Sequence, residues 1–342
     1  MLKAGPLIAL RTFTVCFTVS LAGSSTVATA SAQSTTQDAR KVSMTTNELA
    51  AAVGEGRWTE LAATTPTTTV GFFCKGIANG VIGEWRVMEE VNRKVKPRDA
   101  EVDAFCDDLV AASPKNAFAH FVNATRYNDD SEKAIKEYTK TLELAPDFAP
   151  AYYQIGVLSG KKGNYTEQSA WMDRAIKADP QYAPAYVARG HSYKETGRLA
   201  AAIDEFKKAV QVLESNKIRS GDQLGRALYN WGWILVNQPS PDNDQAIVVL
   251  TRAVKADPLR VEAYNELGIA YKRKGLFSDA IAAYKDGIKH GDNTATIYFN
   301  LGVSEYRSGN SANAKSAFER AIALDPGGST GGTARQWLSR IR

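Results

Sequence analysis

The chain has 342 residues, of which 44% are apolar and 23% charged, proportions that exclude a chain disordered throughout. Its 26 glycines and 12 prolines are too few for a collagen-like or low-complexity architecture. The net charge of +5, from 42 basic and 37 acidic residues, is too small to argue for nucleic acid, which needs a clustered basic face, and three cysteines with three histidines leave little material for a metal site. What remains is a mostly helical protein of about two domains or one elongated array.

Residues 1–32 read as a secretory signal peptide. Lys3 and Arg11 supply positive charge, residues 12–23 are apolar or small, and Ala30-Ser31-Ala32 is an A-x-A site with cleavage expected before Gln33. The apolar run is shorter than the ~20 residues that span a bilayer, so cleavage is favoured over anchoring. Phe13-Thr14-Val15 before Cys16 lacks the small residue that precedes a lipidated cysteine. No second apolar stretch of spanning length follows, so no membrane span is expected in the mature chain. The expected location is the bacterial periplasm or the medium.

Residues 33–43 are polar and expected to be flexible. Residues 44–113 form an N-terminal helical region, with helices expected over 46–63 (Thr46 as N-cap), 67–95 and 98–112, broken at Lys96-Pro97. The region reads either as a separate domain or as degenerate repeats. Its Cys74 and Cys106 are the two thiols left after signal cleavage. An oxidising compartment favours a disulfide between them, the alternative being two buried thiols.

A repeat organises residues 114–326. Gly156, Gly190, Gly232, Gly268 and Gly302 are followed by Gln168, Ala202, Ala246, Ala280 and Ala314. Four residues later come Met172, Phe206, Leu250, Tyr284 and Phe318, and Pro146, Pro180, Pro258 and Pro326 close units. The commonest spacing is 34 residues. The fifth unit reads Tyr264, Leu267, Gly268, Tyr271, Ala280, Tyr284. The sixth reads Tyr298, Leu301, Gly302, Ala314, Phe318, Ala321, Pro326.

This pattern resembles the tetratricopeptide repeat (TPR), a helix–turn–helix unit. The resemblance implies an all-α fold, a right-handed α-solenoid of about six units, with a glycine link and a capping helix over 327–342. Several positions depart from the pattern. Val122 stands where glycine is expected, Gln168 replaces the alanine and needs a polar partner, and Arg189 occupies the leucine-type position. Residues 215–224 lengthen the chain after the third unit, where a hinge between 149–214 and 225–326 is weighed against a loop on a rigid stack.

No nucleotide-binding or metal-binding motif occurs. The glycine run at 327–332 lacks the lysine of a phosphate loop and reads as a flexible link. His120, His191 and His290 fall in different units. Ser159 and Lys162 match a serine–lysine spacing but sit at an ordinary repeat turn. No cofactor and no enzymatic activity are expected.

The resemblance implies that the first helix of each unit lines a concave surface that binds peptides or partner helices. On that basis Tyr153, Tyr229, Trp233 and Phe299 are expected as apolar anchors, with His191 beside them. Gln154, Asn230 and Asn300 are expected to bond an extended backbone, and Lys194, Lys272, Arg273 and Arg307, with Lys161, to pair with carboxylates. The expected function is a non-enzymatic adaptor or scaffold of the envelope with a protein or peptide partner. A self-associating scaffold and an enzyme with an N-terminal catalytic region are the alternatives.

Overall fold

The computed structural model describes residues 43–82, 88, 93–96, 99–127, 130–215 and 221–341. The expected signal peptide, its expected cleavage site and the polar segment as far as residue 42 lie outside the described residues. Among those described, the secondary structure is seventeen α-helices and no strand, an α-solenoid as the sequence predicts.

Helix α1 (Thr46–Gly54) starts with a capping box. The Thr45 hydroxyl accepts from the Glu48 N–H, and the Glu48 carboxylate accepts from the Thr45 N–H at 2.7 Å. The cap is thus Thr45, one residue before the one expected. The helix also stops short of residue 63, because Gly56 takes a left-handed φ of +67° and α2 (Trp58–Ala63) starts afresh. Helix α3 (Thr69–Ile82) occupies the first half of the expected 67–95 helix. Most of 83–92 lies outside the described residues. Helix α4 (Ala100–Ala112) is capped by Asp99, whose carboxylate accepts from Glu101 N–H and Val102 N–H.

Six hairpins follow: α5 (Ala117–Thr125) with α6 (Ser131–Leu144), α7 (Ala149–Lys161) with α8 (Tyr165–Ala178), α9 (Ala183–Glu195) with α10 (Leu199–Ser215), α11 (Gly221–Asn237) with α12 (Asn243–Ala256), α13 (Val261–Arg273) with α14 (Phe277–Lys289), and α15 (Ala295–Arg307) with α16 (Ser311–Leu324). Helix α17 (Ser329–Leu338) closes the stack. Four of the turns between paired helices hold a glycine with φ between +75° and +89°, at Gly163, Gly197, Gly275 and Gly309, where a Cβ would be strained.

The recurring helical glycines have a different cause. A Cβ built on Gly156, Gly190, Gly232, Gly268 or Gly302 would lie 2.2–2.8 Å from the side chain of Met172, Phe206, Leu250, Tyr284 or Phe318 respectively. All five partners are fully buried. Each glycine is therefore the recess that its own unit's large side chain fills, and the sequence pairing is a packing rule.

Each second helix packs on the first helix of the next hairpin. Successive first helices also touch along α7, α9, α11, α13 and α15, a closeness that no pair of second helices reaches. First helices therefore form the inner wall.

The core crosses the boundaries weighed from sequence. One buried cluster joins Leu49, Trp58, Phe73, Val102 and Phe105 of α1–α4 to Phe121, Tyr138 and Ile155 of the first hairpins. The N-terminal region therefore shares its core with the repeats. A second cluster runs from Tyr186 to Ala283, bridging the segments between which a hinge was weighed. Of the extra residues there, Ser215 ends α10 and 221–224 begin α11, so they lengthen two helices; 216–220 lie outside the described residues.

Two expectations are corrected. The glycine run is not a flexible link. Asp325 accepts from the N–H groups of Thr330 and Gly331 at 3.1 Å each and starts α17 there, and a Cβ on Gly331 would lie 1.8 Å from the Asp325 carbonyl oxygen. The helix's Trp337 then stacks on Phe318. Cys74 and Cys106 are free thiols, both 0% exposed, on α3 and α4. In an apolar cluster a thiol packs as a small hydrophobe and needs no bridge. Burial pushes both thiols up, Cys106 to about 12, so neither holds a thiolate at neutral pH. A thiol reagent at pH 8 is therefore expected to label neither in the native protein and both in denaturant; rapid native labelling would contradict this packing.

The departures from the repeat pattern acquire partners. Gln168 accepts from the buried Ser192 hydroxyl at 2.9 Å. Arg189 joins three helices, bonding Glu205 through Nη2 at 2.6 Å and Asp173 through Nη1.

Candidate functional site: the inner wall

The inner wall carries the residues expected to bind a partner, but the structure divides them. At its middle, α11 presents Tyr229 and Trp233 one turn apart, both half-buried. Lys194 of α9 lies 4.8 Å over the Trp233 ring, a cation–π contact between neighbouring units. Burial, then Glu266 and Glu262, push the Tyr229 phenol up to about 12, so it remains a hydrogen-bond donor at neutral pH. His191 on α9 keeps 43% of its side chain exposed and sets its ring edge-on to Tyr165. Burial, then Lys194, hold its pKa below the ordinary value, favouring the neutral imidazole.

Other expected ligand-binding residues tie the stack together. Tyr153 is buried with its ring edge-on to Tyr182 at 5.7 Å, so it packs between hairpins and offers no face to a partner. Asn300, 7% exposed, accepts from Lys272 Nζ at 2.7 Å and donates to Asn265 at 3.1 Å, linking α13 to α15. Asn230 donates to the Arg226 carbonyl of its own helix. Arg273 donates to the Val236 carbonyl of the preceding hairpin. Phe299 leans on Phe318, and Arg307 lies over Trp337 of α17. The cause is shared: neighbouring first helices approach closely enough for polar side chains to satisfy one another, and the final helix covers the last unit.

Lys272 illustrates the cost. Burial, then Arg273, depress its pKa from 10.5 to about 8. A lysine with a depressed folded pKa disfavours folding while charged, so stability rises as pH climbs from about 8 toward 10.5. In that window wild-type protein should gain stability relative to Lys272→Met, measured by urea unfolding at each pH. A difference between the two that does not change with pH would contradict this.

Gln154, also half-buried, makes no hydrogen bond among the described residues. It faces a cavity of about 620 Å³ between α3, the segment around Val95–Lys96, α4 and the first hairpins. This cavity was not foreseen. It exists because the N-terminal helices fold against the first units, and its lining includes Gln154 and Lys161, which the sequence places among the contact residues of the inner wall.

The remaining polar candidates are accounted for locally. Both ring nitrogens of His120 are engaged, Nδ1 with Glu137 at 2.7 Å and Nε2 with the Pro114 carbonyl at 3.0 Å. His290 stacks on Tyr264. The Ser159 hydroxyl donates to the Ile155 carbonyl of its own helix. Among the described residues, no group of three or more His, Cys, Asp or Glu side chains could hold a metal ion, and no helix is long and apolar enough to cross a membrane.

Comparison with known proteins agrees with this architecture. Residues 149–182 and 183–212 match one tetratricopeptide-repeat family model, and 241–292 and 266–329 match another. Superkiller protein 3 of Schizosaccharomyces pombe is 28% identical over 213 residues, 57% of this chain and 14% of that protein. The BBSome complex member BBS4 of Bos taurus is 24% identical over 197 residues, 57% of this chain and 36% of that protein. The chain thus spans a small part of each relative. The solved structure of pilF from Pseudomonas aeruginosa superposes with a TM-score of 0.56 at 15% identity, covering 65% of this chain and 97% of that one, which shows the fold.

Proposed function

From these tetratricopeptide repeats, whose proteins act as protein-interaction scaffolds, we infer that the chain is an exported, non-enzymatic adaptor that holds a peptide or partner helix on its inner wall. The observation that carries this reading is the Tyr229–Trp233 step with Lys194 and His191. It leaves Tyr229, Trp233 and His191 partly exposed on the wall beside Lys194, while Tyr153, Phe299, Asn300, Lys272, Arg273 and Arg307 are consumed by packing. Half-buried aromatics beside a cation are the residue types that concentrate binding energy in interfaces. Export to the bacterial envelope rests on the signal-like segment at residues 1–32. The self-associating alternative finds less support at the C-terminal end, where α17 covers Phe318.

The test is affinity capture from an envelope fraction by the full chain and by a Tyr229→Ala/Trp233→Ala variant of unchanged helical content. Loss of about 2 kcal/mol at each of two hot-spot residues would weaken a partner more than tenfold. A protein held by the wild type and lost from the variant is the expected result; equal capture by both would remove the inner wall from consideration.

A further inference from the structure

The cavity beneath the N-terminal helices has the makings of a small-molecule site separate from the inner-wall aromatics. Its 620 Å³ falls in the range of about 300–1,000 Å³ typical of ligand pockets. Its walls are largely apolar, with Phe73, Ile77, Val102 and Phe121 contributed by α3, α4 and α5. Yet polar groups enter it without partners. Tyr138 and Tyr182, 4% and 8% exposed, both line the cavity, and neither hydroxyl makes a hydrogen bond among the described residues. Burial keeps both phenols protonated, so both are donors. Neither hydroxyl is a sealed, unsatisfied atom, so each stays open to an acceptor that an occupant would supply.

The charges in the lining point the same way. Its acidic groups are occupied: Asp99 caps α4, and Asp103 lies 3.7 Å from Arg126, which also holds Asp107. Lys96 and Lys161 are exposed and unpaired among the described residues. Lys161 shares one face of α7 with Gln154 and Val157, at intervals of seven and four residues. Unengaged groups that can donate therefore surround an apolar space.

We propose that this cavity binds a long-chain carboxylate, its hydrocarbon in the apolar space between α3, α4 and α5 and its carboxylate on the hydroxyls of Tyr138 and Tyr182, the Gln154 amide and Lys161. An oxygen anion suits this set because every member can donate to it. An apolar tail suits the walls, and each added methylene should tighten binding roughly three- to fourfold until the cavity is full.

The test is calorimetric titration of the full chain with octanoate, decanoate and dodecanoate below their micelle concentrations. Dodecanol and dodecyltrimethylammonium serve as head-group controls. Dodecanoate should bind once per chain, with affinity rising along the series and exceeding that of both controls by about tenfold or more. Lys161→Glu, an exposed change that leaves folding intact, should weaken dodecanoate about tenfold while leaving dodecanol unaltered. Val157→Trp, which fills the cavity, should abolish binding of both. Absence of saturable dodecanoate binding to the wild type would overturn the proposal. So would equal binding of the cationic control, or dodecanoate affinity undiminished in Lys161→Glu.

Discussion

Replacing Arg189 with leucine, the residue type that its position carries in the fifth and sixth repeats, should destabilise the solenoid by about 3–5 kcal/mol. By repeat consensus the change ought to help. It removes the counter-charge of Glu205, whose side chain is 8% exposed and which receives Arg189 Nε at 3.0 Å and Nη2 at 2.6 Å. The other cation near Glu205 is Lys208, 3.5 Å away on the same helix and itself 54% exposed. It cannot replace a desolvated guanidinium. Hydrophobic replacement of a whole buried ion pair is often neutral or stabilising, so Arg189→Leu/Glu205→Leu should recover most of the loss. Urea unfolding of the two single variants and the double variant closes this cycle. A cost below about 1 kcal/mol for Arg189→Leu alone would mean that water screens the pair as it does a surface salt bridge.

Gly268→Ala should also destabilise, against the sign of helix propensity. Alanine favours a helix interior over glycine by about 1 kcal/mol. Here its Cβ would lie 2.3 Å from Cε1 and 2.6 Å from Cζ of Tyr284, a ring that is fully buried and has nowhere to move. Overpacking typically costs about 1–3 kcal/mol, enough to reverse the propensity gain. Gly332→Ala is the control. It also lies in a helix, but its Cβ would meet nothing within 4 Å, so that change should stabilise by up to about 1 kcal/mol. Thermal melts of the two variants should therefore shift in opposite directions. A rise in both would show that the recess is not needed.

These two cases mark what could be read from the residues. Gly268 and Tyr284 stand 16 positions apart, and their counterparts recur in phase, so the hairpins and their order follow from periodicity. Arg189 looked like a defect because its partners, Asp173 and Glu205, lie one helix before and one helix after it and follow no repeat pattern. The inner wall was harder for the same reason. Tyr153 and Tyr229 hold equivalent places in their units, yet one is sealed under Tyr182 and the other is half-open. Asn300, Lys272 and Arg273 were recognised as polar groups on the wall, but their partners belong to adjacent first helices. The cavity depends on α3 and α4 lying against α5–α7, a long-range packing that no local motif announces. The glycine run at 327–332 misled because composition signals flexibility, whereas Asp325 and a close backbone approach require glycine there.

The most direct measurement places a photo-crosslinking residue at position 233 on the inner wall and, separately, at exposed position 248 on α12. Each full-length protein is then irradiated in cells that express it. Position 233 should trap one protein, position 248 should not, and adding Tyr229→Ala should abolish the adduct. Equal trapping at both positions, or trapping at 248 alone, would contradict the inner wall as the working surface.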